Sequence, residues 1–483
     1  MIPTGHGADT NATGMIERQV FTTITTTPVS IPAETWVTTR HAGRLLRLLG
    51  VGFGIAVGVG ATIGGGILRT PGPVAGYMGT AALTVTVWLL GGLYTLLCST
   101  SIIELATMLP RAGGWYVYSE RAFGKRIGFV VGCCDWMNQT VAVAFLAVAL
   151  GEFTTELQPA LSGHVAGIAI VALGALTLLN VIGLKAGSRT QAVTSLLKAL
   201  ALVALVIGCF TVSTRAGPSP AAPHVAAHTT GLLLGWLLAF QGVVITYDAW
   251  YSPMYFAEED QDPTRDLPRS MVGTVVSCVG IFLLINVALI HTLGMDELQH
   301  SKVPAAEASF LVFGHYGRQI ILVISIITVI SSINATLLTA PRVLYGIARD
   351  RLLPSRLTAV NQGGTPVWSL LLCAVVGVAL ILSGTLETLI AIGSVIVVAV
   401  YVSGFASQMV LRWREPQLAR PYKSWGYPWS TLCVLVASLG FLTAAVIGDL
   451  RHSLFTVILV VASYLASRIT VRKSHKALVS QVG

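Results

Sequence analysis

Residues 58–72 read GVGATIGGGILRTPG, with Gly64, Gly65 and Gly66 in the middle of an otherwise apolar stretch. Glycine is about 1 kcal/mol worse than alanine inside a helix, so a helix drawn through this stretch is weakest at its centre. A break there frees amide N–H groups at the start of one half-helix and carbonyls at the end of the other. The first attract an anion and the second a cation. A zwitterion carries both charges a few atoms apart. A second weak point is ITYDAW, 245–250, where Ile245, Thr246, Tyr247 and Asp248 interrupt an apolar run shortly before Pro253. Lys198 is a third unusual residue. It lies nine positions beyond Arg189 inside an apolar stretch, roughly 13–14 Å along a helix. That is close to the middle of a hydrocarbon layer about 30 Å thick. A lysine there costs ~2.5–3.5 kcal/mol or more and marks a functional position by default. Snorkelling is the plain alternative, but the stem is too short to reach the interface. By the same arithmetic Asp135, nine positions past Arg126, lies well inside another stretch.

The elements that must hold these residues are membrane helices. The chain has 483 residues, 54% hydrophobic and 11% charged, with mean hydropathy +0.75; soluble chains carry about 25% charged residues. Twelve apolar stretches approach the ~20 residues that a spanning helix needs. They lie at 50–71, 82–108, 127–150, 165–184, 191–213, 231–254, 270–293, 317–347, 367–384, 386–410, 429–447 and 453–469. The fold class expected is therefore an all-α membrane protein with 12 transmembrane helices. The first 45 or so residues are polar and Thr-rich with no apolar signal region, so the first span directs its own insertion. With the N-terminus inside, Arg69, Arg215, Lys302, Arg318 and Arg451 fall outside and Lys198 within a span. Every other lysine and arginine falls on cytoplasmic segments or membrane ends, which by the positive-inside rule places both termini in the cytoplasm. The net charge of +9 thus reflects topology, and no basic-aromatic patch for nucleic acid is present. The seven cysteines lie in or near apolar spans and read as small packing residues. Cys133 and Cys134 lack metal-ligand spacing, and no cofactor is expected.

Five spans separate the starts of the two weakened helices, so the second runs in the opposite direction. Backbone unpaired in hydrocarbon costs several kcal/mol per group unless it is buried in protein or lines a cavity. Interrupted helices at matching places of two inverted halves are the best sequence pointer to a transporter's binding site. The plain alternative for the glycines is close helix packing. Gly54 with Gly58, and Gly60 with Gly64, both have small-xxx-small spacing.

Four stretches carry a resemblance: GATIGGGIL at 60–68, ELATMLPRAGGWYVYSERAFG at 104–124, YDAWYSPMYFAEEDQDPTRDLPRSM at 247–271 and PRVLYGIARDRLLP at 341–354. Together they resemble the amino acid–polyamine–organocation (APC) superfamily, and within it the L-type amino acid transporter branch. Departures are a third glycine and Leu68 in the first motif, Trp115 where a polar residue is usual, and Ala249 where glycine is typical. The resemblance implies a five-plus-five inverted repeat with helices 1 and 6 interrupted, followed by two further helices. The expected division is a disordered cytoplasmic tail (1–46), first repeat (47–215), second repeat (216–412), helices eleven and twelve (413–472) and a cytoplasmic tail (473–483).

By position, the resemblance implies that the amides of Gly64, Gly65 and Gly66 hold a substrate carboxylate. Carbonyls near Ile63 and around Ile245, Thr246, Tyr247 and Asp248 would hold the amino group. Ile245 occupies a gating position that is often aromatic. Lys198 resembles a built-in cation at the place that sodium fills in sodium-coupled cousins, between helices one and eight. Ser331 and Ser332 would line it, and Lys198 would either carry a proton or replace sodium permanently. Asp135 is a possible pathway acid or a buried acid paired with a neighbour. Asp248 reads first as an N-cap of the second half-helix. Glu104, Glu258 and Glu259 are inner-gate candidates, with a solvated loop as the plain alternative.

The function implied is secondary active transport of amino acids across the plasma (inner) membrane by alternating access, by exchange or proton symport. Neutral amino acids are favoured; cationic amino acids or polyamines are the alternative, and a non-transporting sensor on the same fold is the alternative of another class. No GxxxxGK[ST], HExxH or GxSxG motif supports ATP drive or an enzyme. The loop GEFTTELQPALSGH, 151–164, has no cysteine, whereas relatives with a glycoprotein partner join it through one there. The expectation is a stand-alone, multi-pass bacterial permease with no disulfide-linked glycoprotein subunit. Its expected partners are its amino acid, the lipid bilayer and, under the symport alternative, protons.

Overall fold

The computed structural model describes residues 45–47, 49–212, 232–383, 386–448 and 450–482. The expectations for the N-terminal tail up to residue 44 and for Arg215 lie outside the described residues. Within them every regular element is a helix. The first span is split into α1 (Val51–Thr62), α2 (Gly66–Arg69) and α3 (Pro71–Met78). The second to fifth spans are α4 (Ala81–Met108), α6 (Lys125–Leu157), α7 (Val165–Ile182) and α8 (Leu184–Thr211), with the short α5 (Trp115–Phe123) before α6. The sixth is α9 (Leu232–Thr246), then turns and a 3-10 helix at Ser252–Phe256. α10 (Pro263–His300), the short α11 (Pro304–Phe313), α12 (Gly317–Arg349), α13 (Val367–Ser383), α14 (Leu386–Arg414), α15 (Trp429–Gly448) and α16 (Leu450–Val482) follow.

Each expected stretch carries a helix, but several ends move. The first span continues past 71 to Met78, because Pro71 sits at the first turn of α3, where its missing N–H is not needed. α8 begins at Leu184 rather than 191, and α16 runs on into the expected C-terminal tail. Burial sorts the helices. In the segment containing α12, 67% of the most apolar window is buried, against 17% in α16. α12 is therefore central, and α16 turns apolar side chains such as Leu454 and Ile458 outward. The near face of the protein is the one at which α1 begins, and the far face is its opposite.

The glycines of span one divide into two groups. A Cβ on Gly54 would sit 2.3 Å from Ser270 Oγ, on Gly58 2.2 Å from Thr274 Oγ1, and on Gly60 1.8 Å from Gln191 Nε2. These three are packing glycines. Gly64 and Gly65 have nothing within 4 Å of an added Cβ. Gly60→Ala is therefore expected to lower the melting temperature sharply or prevent accumulation of folded protein, whereas Gly65→Ala should fold normally. Thermal melts by size-exclusion chromatography check both; equal melting for the two variants would contradict the division.

Candidate functional site

The helix of span one ends at Thr62. Ile63 (φ −77°, ψ 87°) leaves the helical region, and α2 restarts at Gly66. Among the described residues, the amides of Gly65 and Gly66 meet no acceptor, while the Gly64 amide turns back onto the Thr62 carbonyl at 2.9 Å. The carbonyl end is closed differently. Lys198 reaches across from α8, fully buried, and its Nζ donates to Gly60 O at 2.8 Å and Ile63 O at 2.6 Å. Ser332 of α12 donates to the same Gly60 oxygen at 3.0 Å. Lys198 thus sits as an internal cation on the carbonyl end of a broken helix, where the dipole favours positive charge.

This changes two expectations. The Ile63 carbonyl, expected to receive a substrate amino group, is already engaged by Lys198. Ser331 does not meet the ammonium; it lies in a neighbouring network, receiving Gln191 Nε2 at 3.2 Å and facing Ser195 Oγ at 3.4 Å. Gln191 also accepts from Asn334 at 2.9 Å, and Asn334 accepts from Asn180 at 2.9 Å. Ser195 ties this network to span one through Ala56 O at 2.8 Å. Sequence reasoning missed Gln191, Ser195, Asn334 and Asn180. The signal was present in part: Gln191, Ser195 and Lys198 follow i, i+4, i+7 spacing, one polar stripe on an otherwise apolar helix.

The second break lies beside the first and runs against it. Thr246 Oγ1 donates to Thr70 Oγ1 at 3.0 Å, and its methyl would lie 3.3 Å from a Cβ at Gly66. Ile245 is about half exposed at 51%. Tyr247 is not a lining residue: it is fully buried and packs on Trp88 and Phe282. Asp248 does not cap the following half-helix, which starts after Tyr251 with no side-chain cap. Its carboxylate instead accepts the Tyr401 hydroxyl of α14, because the chain turns at Ala249 and aims the acid sideways. Ala249 has φ +70°, a left-handed conformation costing a residue with a Cβ about 1–2 kcal/mol. Ala249→Gly is expected to stabilise the protein by about 1 kcal/mol net of glycine's own entropy, read as a raised melting temperature; a lowered one would contradict the strain.

Asp135 is buried and paired. It accepts from Tyr255 at 2.8 and 3.0 Å and from Gln139 at 3.1 Å, and Gln139 in turn accepts from Thr339 at 2.6 Å. The acid joins α6, the 3-10 segment of span six and α12 rather than facing the glycines.

Segments 104–124, 247–271 and 341–354 meet at the near face. Glu259 and Arg342, both buried, form a two-pronged pair at 2.5 and 2.8 Å. The Arg342 guanidinium stacks 4.2 Å from the Phe256 ring and also donates to Leu338 O. Glu258 pairs with Arg349 and accepts from the Ala112 amide at 3.0 Å. Asp350 accepts from Arg111 and Tyr116, each at 2.8 Å. The extended entry to span one is strapped to the same loop, with Leu49 N on Glu259 O at 3.1 Å and Gln261 N on Leu49 O at 3.2 Å. Glu104 does not join these pairs. Its carboxylate is held by Arg412 at 2.7 and 2.6 Å and by the Ser424 amide at 2.8 Å. It fastens α4 to α14 and the loop beyond, because the near end of α4 packs against that loop and not against residues 258–259. Arg342, Arg349 and Asp350 belong to the motif at 341–354, but nothing local shows which charge each meets.

Towards the far face a cavity of about 480 Å³ opens directly from the break. Gly65, Leu68, Arg69 and Ser325 are among its walls. The near side is thus bolted by ion pairs while the far side is open down to Gly65.

A family model described as "Amino acid permease" matches residues 47–465. The serine/threonine exchanger SteT of Bacillus subtilis (strain 168) is 27% identical over 414 residues, covering 84% of this chain and 92% of that one. Asc-type amino acid transporter 1 of Mus musculus is 28% identical over 379 residues, covering 76% and 70%. Large neutral amino acids transporter small subunit 2 of Oryctolagus cuniculus is 28% identical with the same coverage. The matched region takes in both broken helices, the lysine between them and the near-face ion pairs, and the chain belongs to the amino acid permease family.

Proposed function

We propose that this chain is a secondary active transporter that exchanges neutral amino acids across the plasma membrane by alternating access. The observation that carries the reading is the asymmetry of the first break. Its carbonyl end is occupied by Lys198, while at its amide end Gly65 and Gly66 are free and Gly65 lines an open cavity. The substrate carboxylate binds those amides, and the ammonium binds carbonyls of the second break around Ile245. The near face is cytoplasmic, and the arrangement described is the outward-facing one, with Glu258, Glu259 and their arginines as the inner gate.

Neutral substrates are favoured over cationic ones because the buried acids Asp135 and Asp248 are both satisfied by tyrosine hydroxyls. The relatives, named as a serine/threonine exchanger and as neutral amino acid transporters, support the same substrate class and exchange. The loop at 151–164 offers no cysteine for a covalent subunit, which supports a stand-alone permease.

The test is counterflow in proteoliposomes preloaded with single unlabelled amino acids. Labelled L-serine, L-alanine or L-leucine should accumulate only against internal amino acid and irrespective of a pH gradient. Uptake into empty vesicles driven by an inward proton gradient would replace exchange with symport. Binding without any uptake would make the protein a sensor.

A further inference from the structure

Three acids follow one another in the loop between span six and α10: Glu258, Glu259 and Asp260. The first two each hold an arginine of α12, Glu258 with Arg349 and Glu259 with Arg342. Asp260 is only 4% exposed, yet among the described residues it pairs with no cation. It sits at the centre of the strap that closes the near face. Leu49, in the extended entry to span one, bridges to Asp260 and bonds to the residue on either side of it, through Glu259 O at 3.1 Å and Gln261 N at 3.2 Å. The charges that act on Asp260 are of its own sign: Asp266 in the first turn of α10, and Glu259 beside it. The arginines nearest along the chain, Arg47 of the strap and Arg265 and Arg269 of α10, make no ion pair with it among the described residues. Burial first, then Asp266 and Glu259, push its carboxyl from the usual carboxylate range up to about 7.

We propose that Asp260 is a proton switch on the near-face gate: protonated, it lets the span-one strap and the loop stay together, and ionised, it drives them apart. The inference rests on the alternating-access reading, in which opening the near face brings Asp260 into water, and it adds a brake set by the pH on that side. In water an aspartate titrates at about 4, whereas the closed gate keeps its proton up to about 7. Closure is therefore fully favoured below about pH 4, weakens about tenfold per unit as the pH rises towards about 7, and changes no further above that. Acid on the near side holds the gate shut. Far-side pH does not act on Asp260, which lies at the near face.

The experiment is double electron–electron resonance on the full chain in lipid nanodiscs, without substrate. Spin labels replace two exposed residues, Thr264 at the start of α10 and Ser355 beyond α12, in a background lacking reactive native cysteines. With Asp260 present, the open-to-closed ratio should fall at least about tenfold between about pH 7.5 and about pH 5.5, and change little above about pH 7.5. Asp260→Asn, which cannot ionise, should stay closed throughout; if it does not fold, Asp260→Ser takes its place. In proteoliposomes, wild-type exchange should slow as the near-face pH is lowered over the same range, while exchange by Asp260→Asn should be slow and indifferent to it. Distances unchanged across that range with Asp260 present, or a neutral variant that keeps the dependence, overturn the switch. Because the distances are read without substrate, failure of counterflow strikes the transporter reading alone, and a flat distance profile strikes the switch alone.

Discussion

Lys198→Ala is expected to cut exchange at least about a hundredfold. Two buried carbonyls, on Gly60 and Ile63, lose the ammonium, and Ile63 has no other donor among the described residues. Each unsatisfied buried group costs about 1–3 kcal/mol, and a hundredfold change corresponds to about 2.8 kcal/mol. The loss falls on the segment that must hold the amides of Gly65 and Gly66 in place. Ser332 still reaches Gly60 O, so the Ile63 carbonyl is the group left bare, and the break should relax around it. Lys198→Met separates the two contributions: it restores most of the side-chain volume but not the charge. If Lys198 is a fixed internal cation, Met should be as inactive as Ala despite better folding, and wild-type exchange should not vary with far-face pH. Normal exchange by either variant, measured by counterflow on protein that passes size-exclusion chromatography, would remove the role assigned to this lysine.

Arg342→Ala should have the second large effect. It leaves the Glu259 carboxylate buried without its partner, and breaking a buried pair from one side costs about 3–5 kcal/mol. On the proposed alternating-access reading, opening the near face exposes Glu259 to water, so the cost falls on the near-face-closed arrangement. The population should therefore shift towards the inward-open state. A cysteine at Ala112, which is fully buried beneath the gate, should become reactive to an impermeant thiol reagent applied from the near face. This is measured in a background lacking reactive native cysteines. Exchange should fall at least about tenfold. Glu259→Gln together with Arg342→Met removes both charges and should recover part of the loss, because neither group is then buried unpaired. A double variant as poor as the sum of the singles would show that the two residues do not act as a pair.

Much of this was legible in the chain alone. Hydropathy located the spans, because burial in hydrocarbon acts on each stretch independently of its neighbours. The glycine run and ITYDAW marked the two interruptions, because helix propensity is local. Lys198 stood out by depth and residue type. What the sequence could not decide was who meets whom. Gly60 and Gly65 are the same residue type a few positions apart, yet one is closed against Gln191 and the other opens on a cavity. Only the position of α8 separates them. Asp135 and Asp248 look available for substrate until Tyr255 and Tyr401 arrive from distant elements. Glu104 points to the gate by its place near the end of a span, and its arginine partner on α14 places it elsewhere. Periodicity and composition are properties of a segment, whereas a charge's partner is a property of helix packing. The sequence by itself therefore determined the membrane helices, the two breaks and the buried lysine, and tertiary packing alone decided which amides stay free, which carbonyls are capped and which face of the protein is closed.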